Sequence, residues 1–127
     1  MRLVMKFGGT AVDSPDKVRH IAQLVKTHKK GNDIVCVVSA VRGMTDGLLS
    51  IGDSVKRGDK TSIDEFVKKS AKIHTDIAEG AISDKKLKGD AVAMVRKTVN
   101  ELEDVLGGIV LLGEITPKSQ DYLMSFG

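Results

Sequence analysis

Two short apolar runs separated by an amphipathic segment constrain the fold of this chain most. The runs lie at residues 3–5, within a candidate strand over residues 2–6, and at residues 34–38, where β-branched residues dominate. The residues between them that recur at the spacing of one helix face are Val18, Ile21, Ala22, Leu24, Val25 and His28. This pattern predicts a right-handed βαβ unit with neighbouring parallel strands, both fully buried. The turns that follow the two strands should then meet at the carboxyl edge of the sheet, where parallel sheets bind ligands.

The first of these turns carries a lysine and a glycine pair. Lys6 directly follows the apolar run, and Gly8 and Gly9 come two and three residues later. Glycine lets backbone N–H groups approach anionic oxygens, and a lysine ammonium neutralises their charge. A helix start comes next, with Ser14 as the N-cap and Pro15 at the first helical position. The turn therefore predicts a phosphate site, although a glycine pair alone is equally typical of an ordinary strand-to-helix turn.

Composition excludes several classes of function. The chain has 127 residues, 41% of them hydrophobic, which suits one folded domain with a core. Its 20 basic and 17 acidic residues are interspersed and give a net charge of +3, and it has only one Tyr and three Phe. We therefore expect no binding to nucleic acid. The chain has no apolar stretch of the roughly 18 residues that a membrane span needs and no signal-peptide pattern, so we expect a cytoplasmic protein without a membrane partner.

The single cysteine and one histidine have structural interpretations. Cys36 lies within the second apolar run, so we expect it to be a small buried hydrophobic residue and not a nucleophile. His74 lies on the apolar side of a helical pattern, where a packed ring with a satisfied nitrogen is typical. No second His or Cys stands at metal-ligand spacing from His74, so no metal site is predicted.

The rest of the chain has the pattern of helices. We predict helices over residues 48–55, 63–78 and 92–106, and another that begins at Thr116-Pro117. Thr61 or Ser62 is the expected N-cap of the second of these. Two strands and about five helices provide too few strands to close an α/β core. We therefore expect the chain to be a piece of a longer protein.

Four motifs together resemble the aspartate kinases of the amino-acid kinase family. They are Lys6-Phe7-Gly8-Gly9-Thr10-Ala11-Val12, which is similar to the family's Lys-Phe-Gly-Gly-Thr-Ser-Val, and the segments 38–46, 113–119 and 125–127. Their order and spacing agree with the family along the whole chain. The resemblance implies an α/β amino-acid kinase (carbamate kinase-like) fold with a parallel-sheet, three-layer core. Residues 1–127 would be the incomplete, helix-rich N-terminal portion of one catalytic domain, without its remainder or any regulatory domains.

The resemblance also implies a reaction. Aspartate kinases use ATP with Mg²⁺ to phosphorylate the side-chain carboxylate of L-aspartate, the first step towards lysine, threonine and methionine, and the full-length enzyme is expected to be a homo-oligomer. Lys6 would be the catalytic residue that contacts the transferring phosphoryl group, and Lys6, Gly8, Gly9 and Thr10 would bind ATP. A carboxylate of reference pKa about 3.9 is ionised at neutral pH, so no general base is needed. We expect this chain alone to be inactive.

The resemblance places Ser39, Thr45 and Glu114 around the aspartate substrate, with Glu114 as the partner of its α-ammonium group. The residues alone favour structural roles instead, with Ser39 in a strand-end turn and Thr45 as a helix cap. Glu114 equally suits a loop acid in solvent, although its apolar flanks argue against free solvation.

One departure from the family pattern supports a different class of function. Ala11 stands where the family has a serine, so a hydroxyl that could touch substrate or phosphate is missing. Together with the absent later portion, this allows a noncatalytic phosphate-binding or regulatory module derived from an amino-acid kinase. A related kinase of another carboxylate, a carbamate or a nucleotide is a further alternative, but the segments 39–46 and 114–119 argue against it.

Overall fold

The computed structural model describes residues 1–127, in which five α-helices accompany a two-stranded parallel sheet. The elements are β1 (Arg2–Phe7), α1 (Pro15–His28), β2 (Asp33–Val38), α2 (Met44–Lys56), α3 (Lys60–Ala81), α4 (Lys85–Leu112) and α5 (Pro117–Met124), with a 3₁₀ turn at Gly9–Ala11. The strands pair in register from Arg2 opposite Asp33 to Phe7 opposite Val38. The predicted βαβ unit and the predicted numbers of strands and helices are confirmed.

Two helices begin as the sequence predicts. At the start of α1, the Ser14 side chain accepts a hydrogen bond from the Lys17 N–H at 3.4 Å, and Pro15 occupies the first turn. At the start of α5, the Thr116 hydroxyl accepts from the Ser119 N–H at 3.1 Å, and the Ser119 hydroxyl accepts from the Thr116 N–H at 2.9 Å. Each arrangement satisfies N–H groups that have no partner within the helix.

The N-cap of α3 differs from the prediction. Asp59 caps this helix, and its carboxylate accepts from the Ser62 N–H at 3.1 Å and from the Ser62 hydroxyl at 2.6 Å. The prediction of Thr61 or Ser62 was wrong because a carboxylate accepts stronger hydrogen bonds than a hydroxyl and lies one residue before the helix. The same bonds lower the pKa of Asp59 below its usual value.

The core lies among the helices and not on the sheet. Its nine buried residues come from α2, α3, α4 and α5: Leu48, Ile51, Val55, Ile63, Val67, Leu102, Leu106, Ile109 and Leu123. Gly80 allows α1 to approach α3, because a Cβ atom there would lie 2.6 Å from the Pro15 ring. His74 packs beside this core and its Nδ1 lies 2.8 Å from the Ser70 carbonyl oxygen, so the prediction of a satisfied ring nitrogen is confirmed.

The strands are not fully buried, which contradicts the sequence prediction. In β1, half-buried residues alternate with exposed ones, and the side chains of Val4 and Val37 remain 67% and 45% exposed. Cys36 is also exposed, so its prediction as a buried residue was wrong. An apolar run shows that a strand needs cover but not whether the same chain supplies it, and here the helices pack mainly on one another.

Two further findings concern partners. None of the helices combines the length and the apolar character that crossing a membrane requires. No group of three or more His, Cys, Asp or Glu side chains is arranged to hold a metal ion.

Candidate functional site

The turns that follow the two strands lie side by side, as the βαβ pattern predicts. The Ser39 N–H donates to the Phe7 carbonyl at 3.0 Å, which continues the strand ladder by one bond. The Arg42 N–H donates to the Gly9 carbonyl at 3.2 Å. The turn of residues 8–11, here called the glycine turn, is therefore held against residues 39–42 by backbone hydrogen bonds.

Gly9 is required by this contact between the turns. A Cβ atom built on Gly9 would lie 2.7 Å from the Ala40 carbonyl oxygen and 3.2 Å from the Arg42 nitrogen. Both neighbours are backbone atoms, so they could not yield by a simple side-chain rotation. The packing of the two turns therefore requires glycine at position 9, whether or not a ligand binds.

Neither the backbone conformation nor the packing at position 8 requires glycine. The Gly8 φ of −76° and ψ of 172° are ordinary extended values that any residue adopts, and a Cβ atom there would meet nothing within 4 Å. The Gly8 N–H also donates no hydrogen bond within the chain. A glycine with open space beside it and an available donor provides what a closely approaching anion needs.

Lys6 lies one residue before the end of β1, opposite Val37 on the strand β2. It is exposed, and it takes part in none of the six ion pairs of the chain. Thr10 is also exposed and sits within the glycine turn. The Lys6 charge and the Thr10 hydroxyl thus have no partner in the chain, and each residue lies two positions from Gly8 in the sequence.

The hydroxyl residues of the second turn are exposed as well. Ser39 follows β2 directly, and Thr45 lies in the first turn of α2. The alternative of Thr45 as a helix cap is excluded, because the N-cap is Gly43, with a φ of 83° that favours glycine. Neither hydroxyl donates or accepts a hydrogen bond within the chain.

Glu114 follows α4, after the C-cap Gly113 with a φ of 72°. The expectation that its apolar flanks keep it from solvent is wrong for this chain, since Glu114 is exposed. The preceding Leu111 and Leu112 are themselves 88% and 76% exposed, so they form no apolar cover around the carboxylate.

The last motif of the chain reaches the turn after β2. A Cβ atom on Gly127 would lie 3.4 Å from the Cβ of Ala40. Gly127 and Ser39 also line one open, mostly apolar cavity of about 380 Å³, whose other walls include Val12, Val41 and His74. The structure thus brings the glycine turn, the segment after β2 and the C-terminal motif together, although the motifs are far apart in the sequence.

The sequence analysis missed one contact at this site. The Lys17 ammonium donates to the Thr10 carbonyl at 2.8 Å and to Asp13 Oδ1 at 2.6 Å. A signal was present, because a lysine in the first turn of a helix faces the positive end of the helix dipole and needs a compensating partner.

Comparison with known proteins decides the family. The sequence model of the amino acid kinase family matches residues 1–119. This chain belongs to the amino acid kinase family. Aspartokinase 3 of Arabidopsis thaliana chloroplasts is 32% identical over 124 residues, which are 98% of this chain and 21% of that protein. The aspartokinase of Geobacillus stearothermophilus is 41% identical over 54 residues, 42% of this chain and 13% of that protein.

A solved structure supports the fold. The chain matches aspartokinase III of E. coli, in complex with aspartate and ADP, with a TM-score of 0.77 and 21% identity. The match covers 100% of this chain and 26% of that one, so the chain spans about a fifth to a quarter of the length of these family members. The α/β amino-acid kinase fold and the resemblance to the N-terminal part of the aspartokinases, both predicted from the motifs, are confirmed.

Proposed function

We propose that the chain is the N-terminal portion of the catalytic domain of an aspartate kinase. In the proposed reaction, a side-chain carboxylate oxygen of L-aspartate attacks the γ-phosphorus of ATP. The bond from that phosphorus to the β–γ bridging oxygen breaks, which gives 4-phospho-L-aspartate and ADP. The observation that carries the proposal is Gly8, which neither backbone conformation nor packing requires to be a glycine, two residues after the exposed Lys6, which has no ion pair.

The nucleotide side of the site consists of one charge and several small groups. Lys6 would neutralise the γ-phosphoryl group as it moves between two anionic oxygens, while the Gly8 N–H and the Thr10 hydroxyl would hold the phosphates. A carboxylate nucleophile is repelled by a triphosphate, so charge neutralisation and in-line positioning provide most of the catalysis. The aspartate is already ionised and needs no base.

The acceptor side is formed by Ser39, Thr45 and Glu114. The two hydroxyls would orient the aspartate, and the Glu114 carboxylate would pair with its α-ammonium group. All three side chains are exposed and have no partner in the chain, so none is committed to the fold. The remaining walls of the pocket would come from the rest of a longer, homo-oligomeric enzyme. The aspartate and ADP in the E. coli relative support this assignment of ligands.

Mg²⁺ would bind to this chain only together with the nucleotide. The chain offers no cluster of three carboxylate, imidazole or thiolate groups, so its own side chains would not hold the ion without the triphosphate. When bound, Mg²⁺ supplies charge neutralisation of the phosphate oxygens.

The proposal is tested with a chimera in which this chain replaces the matching quarter of E. coli aspartokinase III. Hydroxamate formation from aspartate and ATP reports turnover. We expect activity in the chimera and a loss of several hundredfold in Lys6→Met. Lys26→Met is the matched control, because Lys26 is an exposed lysine in the last turn of α1 with no ion pair. Equal activity of the two variants would contradict the role of Lys6, and circular dichroism establishes that each has folded.

A noncatalytic phosphate-binding module is the second candidate, and the observation that favours it is Ala11. In that case the 127-residue chain binds ATP by calorimetry but the folded chimera does not turn over. Recovery of turnover in Ala11→Ser would then identify the missing hydroxyl as the cause.

A further inference from the structure

Lys17 connects the glycine turn to the helix that follows it. Its ammonium contacts the Thr10 carbonyl within the turn and the Asp13 carboxylate in the linker before α1. The Asp13 side chain is only 19% exposed, whereas that of Lys17 is 51% exposed. The Asp13 side chain is thus partly shielded from solvent, and the Lys17 ammonium is its one hydrogen-bond donor in the chain.

Helix formation does not explain the position of Lys17. A cation in the first turn of α1 faces the positive end of the helix dipole, which disfavours it. The acid of that turn, Asp16, is paired with Arg19 instead. Lys17 is therefore held by its contacts with the preceding segment and not by its own helix.

Few other bonds fix that segment. Within the glycine turn, the Ala11 N–H donates to the Gly8 carbonyl at 2.9 Å, and the Arg42 N–H donates to the Gly9 carbonyl. Val12 and Asp13 make no backbone–backbone hydrogen bond at all. The two contacts of the Lys17 ammonium are therefore the hydrogen bonds that tie Thr10 and Asp13 to α1.

We propose that Lys17 and Asp13 are positioning residues that hold the glycine turn in the shape that presents the Gly8 N–H to a phosphate group. This inference rests on the proposed function for its ligand. The pair itself would not touch the nucleotide. Because the ordering of the turn would be completed before binding, the pair would lower the entropic cost of binding the phosphates.

The test uses the 127-residue chain, its affinity for Mg²⁺-ATP by calorimetry and the NMR exchange rate of the Ala11 amide, the one N–H of residues 8–13 that donates a hydrogen bond. In Lys17→Met we expect about fivefold weaker binding and exchange about fivefold faster even without nucleotide. Lys17→Arg should restore both, because a guanidinium also donates to two acceptors. Lys26→Met, which removes the same charge from the other end of α1, should change neither.

Asp13→Asn separates positioning from direct contact. If the pair positions the turn, this variant weakens ATP binding, because Lys17 loses its charged partner. If Lys17 itself contacts phosphate, the variant strengthens binding, because the ammonium is released and a negative charge is removed. Stronger binding in Asp13→Asn, or unchanged exchange in Lys17→Met, would overturn the proposal. The proposed function is tested separately by turnover of the chimera, and if the unaltered chain does not bind ATP, the exchange rate still decides whether the pair holds the turn.

Discussion

Gly8 and Gly9 are adjacent, yet their replacement by alanine should have opposite effects on stability. A Cβ atom on Gly9 would lie 2.7 Å from the Ala40 carbonyl oxygen, and one on Gly8 would meet nothing within 4 Å. The first contact involves backbone, so the segment after β2 must move. Gly9→Ala therefore disturbs both turns of the site, whereas Gly8→Ala leaves the fold as it is.

The expected changes in stability follow from this geometry. Forcing a methyl group against packed backbone costs about 1–3 kcal/mol, so Gly9→Ala should lower the melting temperature by about 4–12 °C. The extended conformation of Gly8 is open to alanine, and alanine restricts the unfolded chain more than glycine does. Gly8→Ala should therefore raise the free energy of unfolding by about 0.4–1 kcal/mol.

Thermal unfolding followed by circular dichroism, combined with calorimetric titration of ATP, separates fold from site. Both variants should lose ATP affinity by about tenfold or more, Gly9→Ala with a loss of stability and Gly8→Ala without one. The Gly8 methyl group would occupy the space that the phosphate needs. Full ATP affinity in a stable Gly8→Ala chain would refute the reasoning, because close approach at Gly8 is its central claim.

Three further predictions concern the fold. Leu106 is fully buried, so Leu106→Ala should lower the free energy of unfolding in urea by about 2–5 kcal/mol, while Leu111→Ala at an exposed position should change it by less than about 0.5 kcal/mol. Hydrogen bonds from Ser62 lower the pKa of Asp59, so its stabilisation is complete above the usual value of 3.8 and is lost as pH falls through the lowered pKa. Acid titration of stability should thus be less steep in Asp59→Asn. Cys36 is exposed and should react with a thiol reagent in the native chain; a need for denaturant would contradict this.

The sequence was sufficient wherever local chemistry decides the structure. Ser14-Pro15 and Thr116-Pro117 each combine a capping hydroxyl with a preset φ, so the starts of α1 and α5 followed from two residues. The βαβ unit followed from the pattern of apolar residues. Two apolar strands that are joined by one amphipathic helix pair side by side and parallel. The meeting of the two turns is a consequence of that topology.

The sequence was insufficient wherever packing between distant residues determines whether a side chain is buried or which group it contacts. Cys36 and Val37 have the composition of a covered strand, but cover depends on what packs over the sheet, and this chain leaves them exposed. Glu114 was expected to be shielded by Leu111 and Leu112 for the same reason, and these leucines also lack cover. The Lys17 contacts depend on the path of the linker before α1, which no periodicity reports.

The proposed ligand-binding side chains take no part in holding the fold, and this has a consequence for every activity measurement. The side chains of Lys6, Ser39, Thr45 and Glu114 are exposed and make no hydrogen bond or ion pair in the chain. The turns that carry Ser39 and the glycines are fixed by backbone bonds instead. Substitutions at these four positions should therefore leave the unfolding free energy within about 0.5 kcal/mol of the unaltered chain. Any loss of binding or turnover in such a variant then measures a lost ligand contact directly.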